Sequence, residues 1–322
     1  MTMDEFLEKY QMEKPFFSAW GNYLKNEIMQ ALACQGMSVS TFIKIPVEAR
    51  VKDDDSIIAK AFLRPEKQYR NPYDEITDKV GIRFVVLELS DIEIIKGIIE
   101  AHGNWNISKD VDFEDNKSAK PELFVYQSVH YIVRNCSTID CNGQSVPANT
   151  PCEIQIRTLL QHAYAELSHQ TVYKSMTQID PIVKRKLARS MALIEATDEL
   201  FKEVRQEMRT VDEQYISFMD FGKRKGRFTQ YVEPLNSSIF DLYRTLVGDN
   251  DIKPENINEF LSEKSYILDR VKNNDTSNIL YKQPIIYLLY YLVAKHGYVT
   301  RGNWAFDQSY LDSIYNDLGI ST

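Results

Sequence analysis

The chain has 322 residues, 43% of them hydrophobic and 26% charged, and a formal net charge of −8 at pH 7. That balance excludes disorder of the whole and leaves room for two domains, and it argues against a protein that coats nucleic acid, although a local basic cleft can hold phosphates inside an acidic molecule. Cys34, Cys136, Cys141 and Cys152 form no Cys-x-x-Cys pair, so neither a disulfide framework nor a zinc site is expected.

The acidic start, residues 1–5, lacks the basic and apolar segments of a signal peptide. After Pro15, the residues Phe17, Trp20, Leu24, Ile28, Ala31 and Leu32 recur at helical spacing, and Gly36 offers a stop. Residues 40–50 are rich in β-branched side chains and read as a strand, followed by a helix over 53–63 with an acidic first turn. Pro72 and Tyr73 open a short helix that leads to a strand over 81–87, and then a helix over 91–102 carries Ile92, Ile95, Ile98 and Ile99 on one side.

Further strands are expected over 105–113, 126–134 and 152–157, with 135–151 as a surface loop. From Leu159 the pattern turns helical, over 159–173 and 181–215. The segment 221–227, with Lys223-Arg224-Lys225, has the composition of a linker, and the remainder again reads as helices, one of them opened by Pro284 and stopped by Gly297. Strands that give way to helices imply an α+β unit, here a mixed β-sheet flanked by helices and followed by an all-α region. The expected division is 1–205 and 206–322. The longest apolar stretch, 285–294, is about half the ~20 residues of a membrane span, so we expect a cytoplasmic protein without membrane association.

Four clusters carry chemistry. Glu153-Ile154-Gln155-Ile156-Arg157 alternates, so a carboxylate, an amide and a guanidinium share one strand face while Cys152, Ile154 and Ile156 point inward. Arg50 and Lys52 share a strand face, and Ser56 and Lys60 share a helix face, which together make a cradle suited to a polyphosphate. Asp78 precedes the strand carrying Arg83, where with Glu153 it could supply the hard oxygen ligands that Mg²⁺ takes alongside substrate phosphates. Tyr126, Ser128 and His130 alternate on another strand, offering a ring for base stacking and donors for phosphate or ribose. Each cluster alone is equally an ordinary solvated face.

Taken in order, Arg50-Val51-Lys52 with Ser56-Ile57 and Lys60, then Asp78-Lys79-Val80-Gly81-Ile82-Arg83, then Tyr126-Gln127-Ser128-Val129-His130, and finally Glu153 to Thr158 with His162, Ala165-Glu166, His169 and Tyr173-Lys174, resemble the RelA/SpoT alarmone synthetase domain over roughly residues 40–175. The resemblance implies a nucleotidyltransferase-like fold that moves the β,γ-diphosphate of ATP to the ribose 3′-hydroxyl of GDP or GTP, releasing AMP, with Mg²⁺ as cofactor. It implies that Asp78 and Glu153 bind the metal and act in catalysis, Glu153 also as base. Arg50 then matches an adenine-stacking arginine, while Lys52, Ser56, Lys60 and Arg83 match ATP-phosphate contacts. On the acceptor side, Tyr126 resembles the guanine-stacking residue, and His130, Gln155 and His162 fall among acceptor contacts.

Val125 stands where the family usually has glycine, and Pro121-Glu122-Leu123-Phe124 replaces a lysine- and asparagine-rich approach. No His-Asp hydrolase motif precedes the domain, and about 40 residues lie upstream of it, so a small single-function form is expected. The departures raise an alternative, a toxic synthetase that uses an adenine nucleotide or the 3′ end of tRNA, and a second, a non-catalytic nucleotide or RNA sensor. Besides nucleotides, the candidate partners are tRNA, a second copy of the chain, and a regulator or antitoxin acting on 206–322.

Overall fold

The computed structural model describes residues 1–63, 69–111, 128–169, 180–226, 228, 231–248, 252–273 and 278–321. They divide into two compact units, Met1–Val204 and Arg205–Thr322.

The first unit begins with α1 (Met3–Cys34), capped by Thr2, whose hydroxyl accepts from the Glu5 amide while the Glu5 carboxylate takes the Thr2 amide. The helix starts well before the expected position and carries Pro15 inside it. A single lost backbone hydrogen bond is outweighed here by burial of Phe6 and Tyr10 with Phe17, Trp20, Leu24 and Ile28, each such side chain contributing ~1.5–3 kcal/mol. Gly21 lets the helix come close to the sheet, since a Cβ there would lie 2.8 Å from the Cβ of Ala49 and the Cγ2 of Val80. Gly36 follows the helix with φ +81°, as a C-terminal stop should.

The expected strand over 40–50 is instead a short helix, α2 (Val39–Phe42), and a three-residue strand, β1 (Ala49–Val51). Tertiary pairing sets this limit, because among the described residues of this segment Ala49, Arg50 and Val51 alone stand in sheet register with the neighbouring strand. The elements α3 (Asp54–Phe62), α4 (Pro72–Glu75), β2 (Val80–Val86), α5 (Leu89–Ala101), β3 (Trp105–Val111) and β4 (Val129–Asn135) then follow. The surface loop expected over 135–151 contains a small hairpin, β5 (Ile139–Cys141) and β6 (Gln144–Val146), turned by Asn142 and Gly143, both at positive φ. Next come β7 (Pro151–Thr158) and α6 (Leu159–Ser168); the expected continuation of that helix beyond 169 lies outside the described residues.

The five-stranded sheet has the order β1-β2-β7-β4-β3 and is mixed: β2 and β7 run parallel, and the other neighbours antiparallel. Alternation sends Val80, Ile82, Phe84, Val86, Cys152, Ile154 and Ile156 into one core with α1 and α5. Gly81, Arg83, Glu153 and Gln155 are left for the opposite face. The fold class is therefore α+β.

The division between the units falls within α7 (Pro181–Lys225). Residues 221–225, expected as a linker, belong to this helix, and Phe218, Met219 and Phe221 are buried. The second unit adds α8 (Glu233–Val247), α9 (Pro254–Glu263), α10 (Tyr266–Asn273), a 3₁₀ turn (Ile279–Lys282), α11 (Ile286–Gly302) and α12 (Gln308–Leu318). Gly297 does not stop α11, which bends at His296 and continues to Gly302. The tyrosines and leucines of α11 form its core. Among the described residues no helix is long and apolar enough to cross a membrane, and the four cysteines are free thiols.

Candidate active site

The polar face of the sheet floors a cavity of about 930 Å³ in the first unit. Arg50 on β1, Lys52 just after it, Ser56 on α3, Asp78 just before β2, Arg83 on β2, Glu153 and Gln155 on β7, and His162 on α6 all line it. Strand register explains the convergence. Arg50 pairs with Gly81 and Gly81 with Glu153, so the three form one row across the sheet, and Arg83 pairs with Gln155 in the next. Gly81 keeps the floor low between the guanidinium and the carboxylate.

Lys60 and His130 do not line the cavity but hold residues that do. Lys52 Nζ lies 2.6 Å from Asp78 Oδ2, and Lys60 Nζ lies 2.7 Å from the same oxygen. Burial works to raise the Asp78 carboxyl, yet Lys52 and then Lys60 outweigh it and hold the group below the usual aspartate value. Its second oxygen, Oδ1, is buried and has no hydrogen-bond partner among the described residues.

Glu153 is held from the sheet. His130 Nδ1 lies 3.2 Å from Oε1, and Gln155 Nε2 donates to Oε2 at 2.8 Å. The other imidazole nitrogen shares a hydrogen bond with the hydroxyl of Ser128, and Gln155 in turn accepts from the Arg157 guanidinium. Burial pushes the Glu153 carboxyl up, but the bond and charge of His130 prevail and keep it below the ordinary glutamate value, while Asp78 opposes them. Both carboxyls are thus ionised at neutral pH.

Two further cations are paired at the rim: Arg83 with Glu166 at 3.0 Å and Arg50 with Asp53 at 2.8 Å. Burial, with help from Arg157 and Arg83, lowers the His162 imidazole, which is therefore neutral at pH 7. Glu48, Glu166 and His169 also line the cavity. Sequence reasoning gave them no role, although Glu166 sits one helical turn after His162 and that spacing already aimed it at the same side. Tyr126 lies outside the described residues, as do Tyr173 and Lys174.

Among the described residues no group of three or more His, Cys, Asp and Glu side chains could hold a metal by itself. A hard cation such as Mg²⁺ commonly takes one or two carboxylates and completes its shell with water and substrate phosphates. Asp78 and Glu153 fit that donor set, and the unpartnered Oδ1 of Asp78 is an oxygen ready for such an ion.

A family model described as a region found in RelA/SpoT proteins matches residues 49–178. The GTP pyrophosphokinase YjbM of Bacillus subtilis is 28% identical over 162 residues, half of this chain and 72% of that protein. YwaC, a second GTP pyrophosphokinase of that organism, is 26% identical over 167 residues, 51% of this chain and 76% of the relative. In structure, the small alarmone synthetase 1 of Bacillus subtilis aligns with a TM-score of 0.51 at 23% identity, covering 63% of this chain and 99% of that one, which shows a shared fold. Residues 49–178, which carry the strands and helices of the cleft, are thus similar to the region found in RelA/SpoT proteins and to the GTP pyrophosphokinases YjbM and YwaC.

Proposed function

We propose that this protein is a pyrophosphokinase that transfers the β,γ-diphosphate of ATP to the 3′-hydroxyl of a guanine nucleotide, GDP or GTP, and releases AMP. The observation that carries the reading is the pair of ionised carboxylates, Asp78 and Glu153, lining one cavity with Lys52, Arg50 and Arg83. The relatives YjbM and YwaC are both named GTP pyrophosphokinases.

In this reading ATP lies along the β1 side. Arg50 stacks on adenine, and Lys52, Ser56, Lys60 and Arg83 hold the phosphates. Every one of those cations has a carboxylate partner, so the triphosphate replaces protein anions instead of meeting bare charge. When Lys52 and Lys60 turn to phosphate, the Asp78 carboxylate is released towards a metal. Mg²⁺ held by Asp78 and Glu153 would neutralise charge on the transferred group and acidify the attacking hydroxyl.

Transfer to phosphorus depends more on alignment and charge neutralisation than on a strong nucleophile. Glu153 therefore orients the 3′-hydroxyl and accepts its proton as negative charge leaves the oxygen. His130 and Gln155 keep the carboxylate aimed, and with His162 and Tyr126 they form the acceptor side. Incubation with labelled ATP and GDP or GTP should give AMP and a 3′-diphosphorylated product; no product with any divalent metal ends this reading.

A second reading rests on Val125 and on Pro121-Glu122-Leu123-Phe124, which provide none of the cations the family uses near its acceptor. In that case an adenine nucleotide or the 3′ end of tRNA accepts the diphosphate, and either should outrun GDP in the same assay. A sensor without catalysis predicts tight nucleotide binding and no AMP release. For residues 206–322 we propose a regulatory or partner-sensing role, which fails if their deletion leaves activity and its control unchanged.

A further inference from the structure

In the part of α7 that belongs to the first unit, two residues seven positions apart are fully buried, Met191 and Asp198. The burial of a methionine is ordinary; that of Asp198, 1% exposed, is not. Among the described residues no cation is paired with it: its Oδ2 accepts from the hydroxyl of Thr158 at 2.8 Å, and its Oδ1 has no hydrogen-bond partner. Burial pushes the carboxyl up to about 6, and the charge of Glu88 pushes the same way. An apolar residue would suit this position better for stability alone.

The acceptor it supplies has a particular place. Thr158 is the last residue of β7 and the N-cap of α6. Its hydroxyl accepts from the Gln161 amide at 3.1 Å, while Gln161 Oε1 takes the Thr158 amide at 3.1 Å, a reciprocal cap. A hydroxyl has one proton, and Asp198 fixes where it points, so a lone pair remains turned to the helix amide. On one side of this joint β7 carries Glu153 and Gln155; on the other, α6 carries His162 and Glu166 into the same cavity.

We propose that Asp198 is a positioning residue, which sets through Thr158 the angle at which α6 leaves β7 and so places His162 and Glu166 against Glu153. The kinetic part of this inference rests on the pyrophosphokinase reading. Its structural part does not.

The test uses the full chain with Asp198→Leu, Asp198→Asn, Thr158→Val and the double variant Asp198→Leu/Thr158→Val. Two quantities are read: hydrogen exchange at the first-turn amides of α6, and the KM for acceptor and for ATP separately. Asp198→Leu, which leaves the buried Thr158 hydroxyl without its acceptor, should raise exchange at Gln161 and the acceptor KM about five- to tenfold, leaving the ATP KM in place. Asp198→Asn, whose carbonyl still takes the Thr158 proton, should match the parent in both. In the Thr158→Val background, Asp198→Leu should add nothing further.

Parental exchange and kinetics in Asp198→Leu, or effects of the two substitutions that multiply, overturn the proposal. Should Asp198→Leu fail to fold, Asp198→Ala carries the same expectations. A parent that never releases AMP defeats the pyrophosphokinase reading, while the exchange measurements still decide the part played by Asp198.

Discussion

In the second unit, buried polar side chains find one another. Asn236 donates to Gln283 at 2.8 Å, Gln283 also takes the Val232 amide, and the hydroxyls of Tyr281 and Tyr290 both end on Asp317. In the first unit, by contrast, Trp20 Nε1, Asp78 Oδ1, Gln161 Nε2, His162 Nδ1, Ser168 Oγ and Asp198 Oδ1 are among the atoms buried without a hydrogen-bond partner among the described residues. A native core leaves few such atoms, because each costs about 1–3 kcal/mol. Asp78 and His162 line the large cavity, where a substrate or ion can supply what the protein omits. The second unit is built to be complete, and the first to be completed.

The sharpest way to break that contrast is Glu153→Gln. Under the proposed function, in which this carboxylate takes the proton of the acceptor hydroxyl, turnover, read as AMP release, should fall about 10³-fold or more while the melting temperature stays within a few degrees. In the second unit the converse holds for Gly222→Ala. A Cβ there would lie 1.8 Å from the carbonyl oxygen of Pro284, so thermal denaturation should show a loss of about 1–3 kcal/mol.

The third test uses pH. The folded-state values of Asp78 and Glu153 lie below their ordinary 3.8 and 4.5, so each contributes stability that is present above those values and lost as pH falls through the depressed ones. Asp78→Asn should therefore shrink the stability difference between about pH 6 and about pH 3 by roughly 1 kcal/mol, measured by chemical denaturation at each pH. The smallest effect belongs to Tyr287→Phe. This hydroxyl is the second unit's exception, buried without a partner among the described residues, and burial pushes it up to about 12. Its removal should cause no loss of stability, and a loss in denaturant titrations would mean that the hydroxyl does bond a group inside that core.

The cleft was legible in the sequence because its lining sets polar side chains at strand spacing, as in Arg50 and Lys52 or Glu153 and Gln155. Element type was legible wherever local pattern and tertiary packing agree, as in α3, α5 and β7. It failed where they disagree. Residues 40–50 have strand-like side chains, but only two of them, Ala49 and Arg50, stand in sheet register with β2. Pro15 favours a helix start, but the burial of Phe6 and Tyr10 extends α1 through it, and the Tyr10 hydroxyl is tied to the Lys52 carbonyl at 2.6 Å.

The basic run at 223–225 suggested a linker, whereas the apolar Phe218 and Phe221 beside it seat the helix in a core. The hairpin over 139–146 did have a signal, the Asn142-Gly143 pair, which fits a tight turn with two positive φ values. Asp198 had none. In a stretch dense with Glu and Lys, one acid that turns inward reads like its neighbours.

The parallel pairing of β2 with β7 has a consequence for synthesis of the protein. Gly81 and Glu153 lie side by side in the sheet but far apart along the polypeptide, and such non-local pairing forms late. A nascent chain that has already displayed Arg50, Lys52, Asp78 and Arg83 still lacks the strand bearing Glu153. While β7 remains within the ribosome, the cleft has neither its central strand nor its second carboxylate, and the activity proposed for it has to wait for both.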